Sequence, residues 1–171
     1  MAKDCVIDGY PVPFATRPGA VAWNNIVGVT LDLEYDPICP GQLLYSFRQI
    51  YAKQRSPVVA DLRLPEMSNE LPVKRGITQF NLHLEGTPFR FRDPGIMLLS
   101  SIPEEFRQNY FRPSVISDTQ INFLAEYIYS EEVYHHHCIV YVDDLRRPQV
   151  ASIPIDPDIL NPGDHPNLTS W

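Results

Sequence analysis

Proline is unusually frequent in this chain, and its positions limit the length of any helix or strand. The 171 residues include 17 prolines, roughly twice the average share of about 5%. Because proline fixes φ and lacks an amide hydrogen, it ends helices and is excluded from the interior of sheets. A chain interrupted this often folds into short elements, and the sequence therefore predicts few long helices.

The prolines fall into two groups that divide the chain. Those from Pro37 to Pro113 separate the apolar segments of a folded core. The others lie near the N terminus and from Pro148 onward, in segments that also carry large apolar side chains. The sequence thus predicts an extended N-terminal arm (residues 1–20), a single β-rich core domain (21–147) and an extended proline-rich C-terminal arm (148–171).

Alternation of apolar and polar residues predicts strands in the core. From Val27 to Glu34, successive side chains alternate over eight positions, which is typical of a half-buried strand. Residues 78–92 contain two such runs separated by a short turn, which predicts a hairpin. Residues 137–142 are rich in β-branched side chains and predict a further strand.

Three segments have features of helices. Residues 42–54 place apolar side chains at helical spacing and predict a helix of three turns, with a strand as the alternative. The run from Ser101 to Glu104 has the form of a capping box for a short helix, and residues 118–132 repeat apolar side chains at i, i+3, i+4 and i+7. The predicted fold class is mainly β, a β-rich α+β fold. It has a small antiparallel sandwich- or barrel-like core, one or two short helices and the two extended arms.

Composition excludes several classes of function. The formal net charge of −7 argues against direct binding to the phosphate backbone of nucleic acids. The three cysteines are widely spaced and form no C-x-x-C pair, which favours reduced thiols over a disulfide framework. The sequence shows no signal-peptide core and no apolar run long enough to span a membrane. We therefore expect a soluble protein that is made in the cytoplasm and has no membrane partner.

A run of histidines is the main candidate for chemistry. If residues 135–138 are extended, His135 and His137 project to one face and could hold one metal ion. The third ligand would be Asp143, with Asp144, His165 or Glu132 as alternatives. A histidine-rich helix C terminus, where cationic side chains are favoured, explains the same run without a metal.

No other motif indicates an active site. The sequence lacks a nucleophile elbow, a phosphate-binding loop and a dinucleotide fingerprint. It therefore predicts a non-catalytic protein with no cofactor and no small-molecule substrate.

The apolar arms indicate contacts with other chains. Proline reduces the entropy lost when an extended segment is ordered on a partner. We expect the arms to pack on neighbouring subunits through Tyr10, Phe14, Ile155, Leu160 and Trp171. The sequence predicts a structural or assembly protein whose partners are copies of itself and other structural subunits. In its narrowest form this is a phage or viral virion component, such as a capsid decoration, connector or tail subunit.

Two other functions stay open from the sequence. One is a metal-dependent enzyme or metal-binding module that uses the cluster from His135 to Cys138. The other is a cytosolic adaptor that binds a different protein through exposed aromatic side chains.

Overall fold

The alternating strands form two β-sheets that pack face to face in a computed structural model, which describes residues 5–55, 62–64 and 68–163. A continuous apolar core fills the space between the sheets, and in it the Phe123 ring contacts the rings of Phe14 and Phe80. The described residues contain one helix, α1 (Glu104–Arg107), of a single turn. The mainly β, sandwich-like fold is confirmed.

The first sheet has six strands. They are β1 (Pro11–Val12), β4 (Glu70–Pro72), β6 (Phe89–Leu99), β9 (Tyr134–Asp144), β10 (Ile153–Ile155) and β11 (Asp158–Asn161). Their order is β1-β6-β9-β11-β4, and β10 also pairs with β9. Strand β9 is thus central, with β6 along one edge and with β11 and β10 in succession along the other.

The second sheet has five strands. They are β2 (Asn25–Tyr35), β3 (Leu43–Gln54), β5 (Ile77–His83), β7 (Tyr110–Ser117) and β8 (Gln120–Glu126). Their order is β3-β2-β5-β8-β7, so that β3 and β7 form the two edges. The predicted antiparallel pairing holds except for two parallel pairs, β2 with β5 and β11 with β4.

Two predicted helices are strands instead. In residues 42–54 the alternative, a strand, is present: Leu43–Gln54 form β3, which pairs with β2 except at Ile50, where the register shifts. Residues 120–126 form β8, where Ile121, Phe123 and Ala125 face the core and are fully buried. Apolar side chains four positions apart, such as Ile121 and Ala125, fit a period of two as well as a helical period, and pairing with neighbouring strands selects the extended form.

The predicted hairpin at residues 78–92 is also wrong. Strand β5 has β2 on one side and β8 on the other, so neither of its edges is free to pair with β6. The chain instead crosses to the six-stranded sheet between these two strands. The short helix predicted after Ser101 is present as α1, but its N-cap is Pro103 and no side chain caps it.

The described parts of both arms contribute strands to the sandwich. In the N-terminal arm, β1 pairs with β6, and Phe14 packs 5.6 Å from the Phe123 ring. In the C-terminal arm, β10 and β11 both pair with β9. The prolines of these segments lie in short edge strands or between strands, where a missing amide hydrogen is tolerated.

A disulfide bond joins Cys5 to Cys39, so the prediction of reduced thiols is wrong for these two residues. The bond ties the N-terminal arm to the turn between β2 and β3, where Gln42 also donates a hydrogen bond to the carbonyl of Cys5. The two cysteines are 34 positions apart, and their spacing in the sequence could not show that the fold brings them together. Cys138 has a free, buried thiol.

Candidate functional site

Strand β9 separates its histidines between two faces. His136 faces the core and is only 4% exposed. His135 and His137 lie on the outer face of the six-stranded sheet, as predicted for an extended segment. The explanation that places these residues at a helix C terminus is therefore wrong.

His135 meets two carboxylates on neighbouring strands. Its Nδ1 atom lies 2.9 Å from Oδ2 of Asp158 on β11. Asp158 is paired in register with Glu70 on the parallel strand β4. One potential ligand atom from each of the three residues lies within 4.8 Å of the other two. We call these three residues the outer-face cluster.

The predicted metal ligands His137 and Asp143 lie elsewhere. The Nδ1 atom of His137 donates a hydrogen bond to the carbonyl oxygen of Asp156 at 3.2 Å. Asp143 accepts hydrogen bonds of 2.9 Å from Arg92 and from Ser152. Because a strand rises about 3.3 Å per residue, Asp143 lies far along β9 from His135. The predicted combination of His135, His137 and Asp143 therefore does not form.

The sequence pointed to His135 but missed its two acidic neighbours. Glu70 and Asp158 belong to short strands far from β9 in the chain. Neither lies in a motif with metal-ligand spacing. Only the order β9-β11-β4 brings the three residues together.

His136 and Cys138, whose side chains point inward from β9, are buried. The Tyr110 hydroxyl accepts a hydrogen bond from the Asn161 amide at 3.1 Å and shares a second hydrogen bond of 2.5 Å with Nδ1 of His136. Burial lowers the pKa of His136 to about 4, with smaller contributions from the neighbouring His137 and His135. Burial also raises the pKa of the fully buried Cys138 thiol far above its usual range. A neutral histidine and a protonated thiol fit a structural role.

The acidic end of β9 is also split between the two faces. Asp144 faces inward and accepts hydrogen bonds from Arg146 and from the Tyr35 hydroxyl. The hydrogen bond from Arg146 is the main cause that lowers the pKa of Asp144 to about 2. Asp143 and Asp144 therefore serve different contacts and do not form a joint site.

Three predicted interface residues are buried within their own chain. Phe14, Ile155 and Leu160 are 9%, 3% and 2% exposed, respectively. The expectation that they need a neighbouring subunit for burial is wrong, because strands of both arms complete the six-stranded sheet. Tyr10 is 67% exposed and stays available. Trp171 lies outside the described residues.

One edge of the sandwich exposes two adjacent apolar side chains beside a groove, a feature that the sequence did not reveal. The N-terminal arm runs along this edge, from β1 at the edge of one sheet to a bridge between Ala15 and Phe111 on β7 of the other. Beyond this bridge, all residues of β7 from Arg112 to Ser117 are exposed. Val115 and Ile116 are 50% and 56% exposed.

A groove beside this part of β7 has a volume of about 440 Å³ and is lined by Pro13, Met97 and Val115, among others. We call residues 112–117 with this groove the β7 surface. The only signal in the sequence is the adjacent Val115 and Ile116 between serines, and this signal is too short to indicate a surface.

Comparison of the chain with protein-family models, curated protein sequences and solved structures found no match. In the part of the chain that the structure describes, no helix combines the length and hydropathy needed to cross a membrane.

Proposed function

We propose that this chain is a non-catalytic structural subunit that assembles with copies of itself through the β7 surface. The observation that carries the proposal is the exposure of Val115 and Ile116 on an edge strand, next to an apolar groove. Exposed apolar surface of this kind is typical of contacts between proteins.

The uncovered part of β7 favours packing of side chains over extension of the sheet. Soluble proteins protect edge strands with proline, charges and bulges. Here Pro113 lacks an amide hydrogen, Arg112 adopts a positive φ of 52°, and the register with β8 shifts on both sides of Ser114 and Val115. A second copy would therefore contact Ile116 at the exposed edge and insert an apolar group into the groove that Val115 lines.

A phage or viral virion subunit is the narrowest form of this proposal. The exposed Tyr10 at the start of β1 and the proline content support it. The arms support it less than the sequence suggested, because Phe14, Ile155 and Leu160 are covered by the chain itself. Tyr10 and Trp171 remain the arm residues that we propose for contacts with other subunits.

The test is the molar mass in solution. We expect light scattering after size-exclusion chromatography to give a mass well above that of the 19.6 kDa chain at high concentration. Ile116→Lys should shift the protein to the monomer, because a buried lysine opposes association. Leu145→Lys is the matched control, since Leu145 is equally exposed at 56% but lies after β9.

Two results would contradict the proposal. One is a monomer at every concentration tested. The other is equal dissociation of the two lysine variants, which would indicate a general effect of charge. If the chain is a monomer and captures a different protein, and if Ile116→Lys abolishes that capture, the adaptor function is favoured over self-assembly.

A further inference from the structure

Two carboxylates of the outer-face cluster, those of Asp158 and Glu70, lie close together on neighbouring strands. Asp158 and Glu70 are direct partners in the register of β11 and β4. Like charges directly opposite each other on neighbouring strands destabilise a sheet. The like-charge pair therefore lowers the stability of β4, which has only three residues and lies at the sheet edge.

One carboxylate oxygen of Asp158 also lacks a hydrogen-bond partner among the described residues. The side chain of Asp158 is 17% exposed. Oδ2 contacts His135, whereas Oδ1 is buried and has no hydrogen-bond partner among the described residues. A buried carboxylate oxygen without a partner costs free energy unless a proton donor or cation compensates it. The unpartnered Oδ1 of Asp158 is thus a further observation that favours a cationic ligand at this position.

We propose that Glu70, His135 and Asp158 bind one divalent zinc ion on the outer face of the six-stranded sheet. One imidazole nitrogen and two carboxylate oxygens, with a fourth position left for solvent, are a donor set that zinc accepts. Imidazole favours zinc over magnesium or calcium, which prefer oxygen ligands alone.

The geometry requires only small movements. Zinc bonds of about 2.0–2.2 Å in tetrahedral arrangement place ligand atoms roughly 3.4 Å apart. The ligand atoms of the cluster already lie within 4.8 Å of one another. The side chain of His135 is 53% exposed, so it can rotate at little cost.

Bound zinc would link three strands that are distant in sequence. Its charge would compensate the two carboxylates and hold β4 against β11 and β9. Because the ion would bind the folded chain and not the unfolded one, it should raise the thermal unfolding temperature. The site is separate from the β7 surface, and its existence does not depend on self-assembly.

The test is zinc titration of the full chain after removal of metal by a chelator. Isothermal titration calorimetry with zinc chloride should give one ion per chain, whereas magnesium chloride should give no binding. His135→Ala and Glu70→Gln should each weaken zinc binding by at least about tenfold. His83→Ala is the control, because His83 lies on β5 of the other sheet and is not a member of the cluster; its affinity should stay within about twofold of the wild type.

A second measurement distinguishes zinc binding from general destabilisation. In chelated protein, Glu70→Gln should raise the unfolding temperature slightly, because it removes the repulsion from Asp158. In saturating zinc, the wild type should unfold at the higher temperature instead. The proposal is overturned if zinc does not bind, if His135→Ala and Glu70→Gln bind as the wild type does, or if His83→Ala loses affinity equally.

Discussion

The disulfide between Cys5 and Cys39 is expected to be a major source of stability. The bonded cysteines are separated by 34 positions. The entropy that such a crosslink removes from the unfolded chain is roughly 13 cal/mol/K, which is about 4 kcal/mol at 25 °C. Since a domain is stable by only about 5–15 kcal/mol, loss of the bond should be clearly visible.

Urea unfolding of oxidised and reduced protein measures this contribution. With a slope of about 2 kcal/mol/M for unfolding in urea, a loss of 4 kcal/mol lowers the midpoint by about 2 M. Cys39→Ser should unfold near the midpoint of the reduced wild type. The reductant should not change the midpoint of this variant, which controls for effects on Cys138.

Alkylation and mass spectrometry must accompany the unfolding curves. They show whether the bond is present before the reductant is added and absent afterwards. If reduction is complete and the midpoint falls by less than about 0.5 M, the reasoning from loop entropy is refuted. Three alkylated thiols in the unreduced, unfolded protein would refute the bond itself.

Two further predictions concern polar groups that the sandwich buries. Tyr110→Phe should lower the free energy of unfolding by about 1–3 kcal/mol, because it leaves Nδ1 of the buried His136 without its hydrogen-bond partner. Tyr129→Phe, at a residue that is 64% exposed, should change the free energy of unfolding little in the same denaturation assay. Asp144 has a pKa lowered to about 2 by its hydrogen bond from Arg146, so its stabilising effect should be complete above its usual pKa of about 3.9 and be lost as the pH falls through about 2. Acid unfolding should therefore reduce the stability of the wild type more than that of Asp144→Asn, and equal losses would contradict this assignment.

The sequence predicted the strands whose two faces differ in polarity. From Val27 to Leu33, every second side chain is apolar, and the structure packs these side chains against the core. The extended histidine run on β9 was also predictable as one of two alternatives, including the separation of His135 from His136. In these segments, apolar and polar side chains alternate with a period of two, and a strand is the structure that places all the apolar ones on one buried face.

The sequence was ambiguous where apolar residues occupy both faces of a segment. Residues 120–126 have Leu124 buried together with Phe123 and Ala125, so a helical period fits as well as a period of two. Residues 42–54 have the same ambiguity. Local preference is too weak to decide such cases, and hydrogen bonds to neighbouring strands decide them.

The proline-rich arms show most clearly what only the tertiary structure could decide. The sequence showed that segments near both termini carry large apolar side chains, and it predicted that they are extended, because proline is unfavourable in the interior of a helix. It could not establish what those side chains contact. Burial of Phe14, Ile155 and Leu160 depends on the free edges of β6 and β9, which exist only after distant strands have paired. The meeting of His135 with Glu70 and Asp158 has the same origin, because the order of strands in a sheet is set by long-range contacts and not by local periodicity.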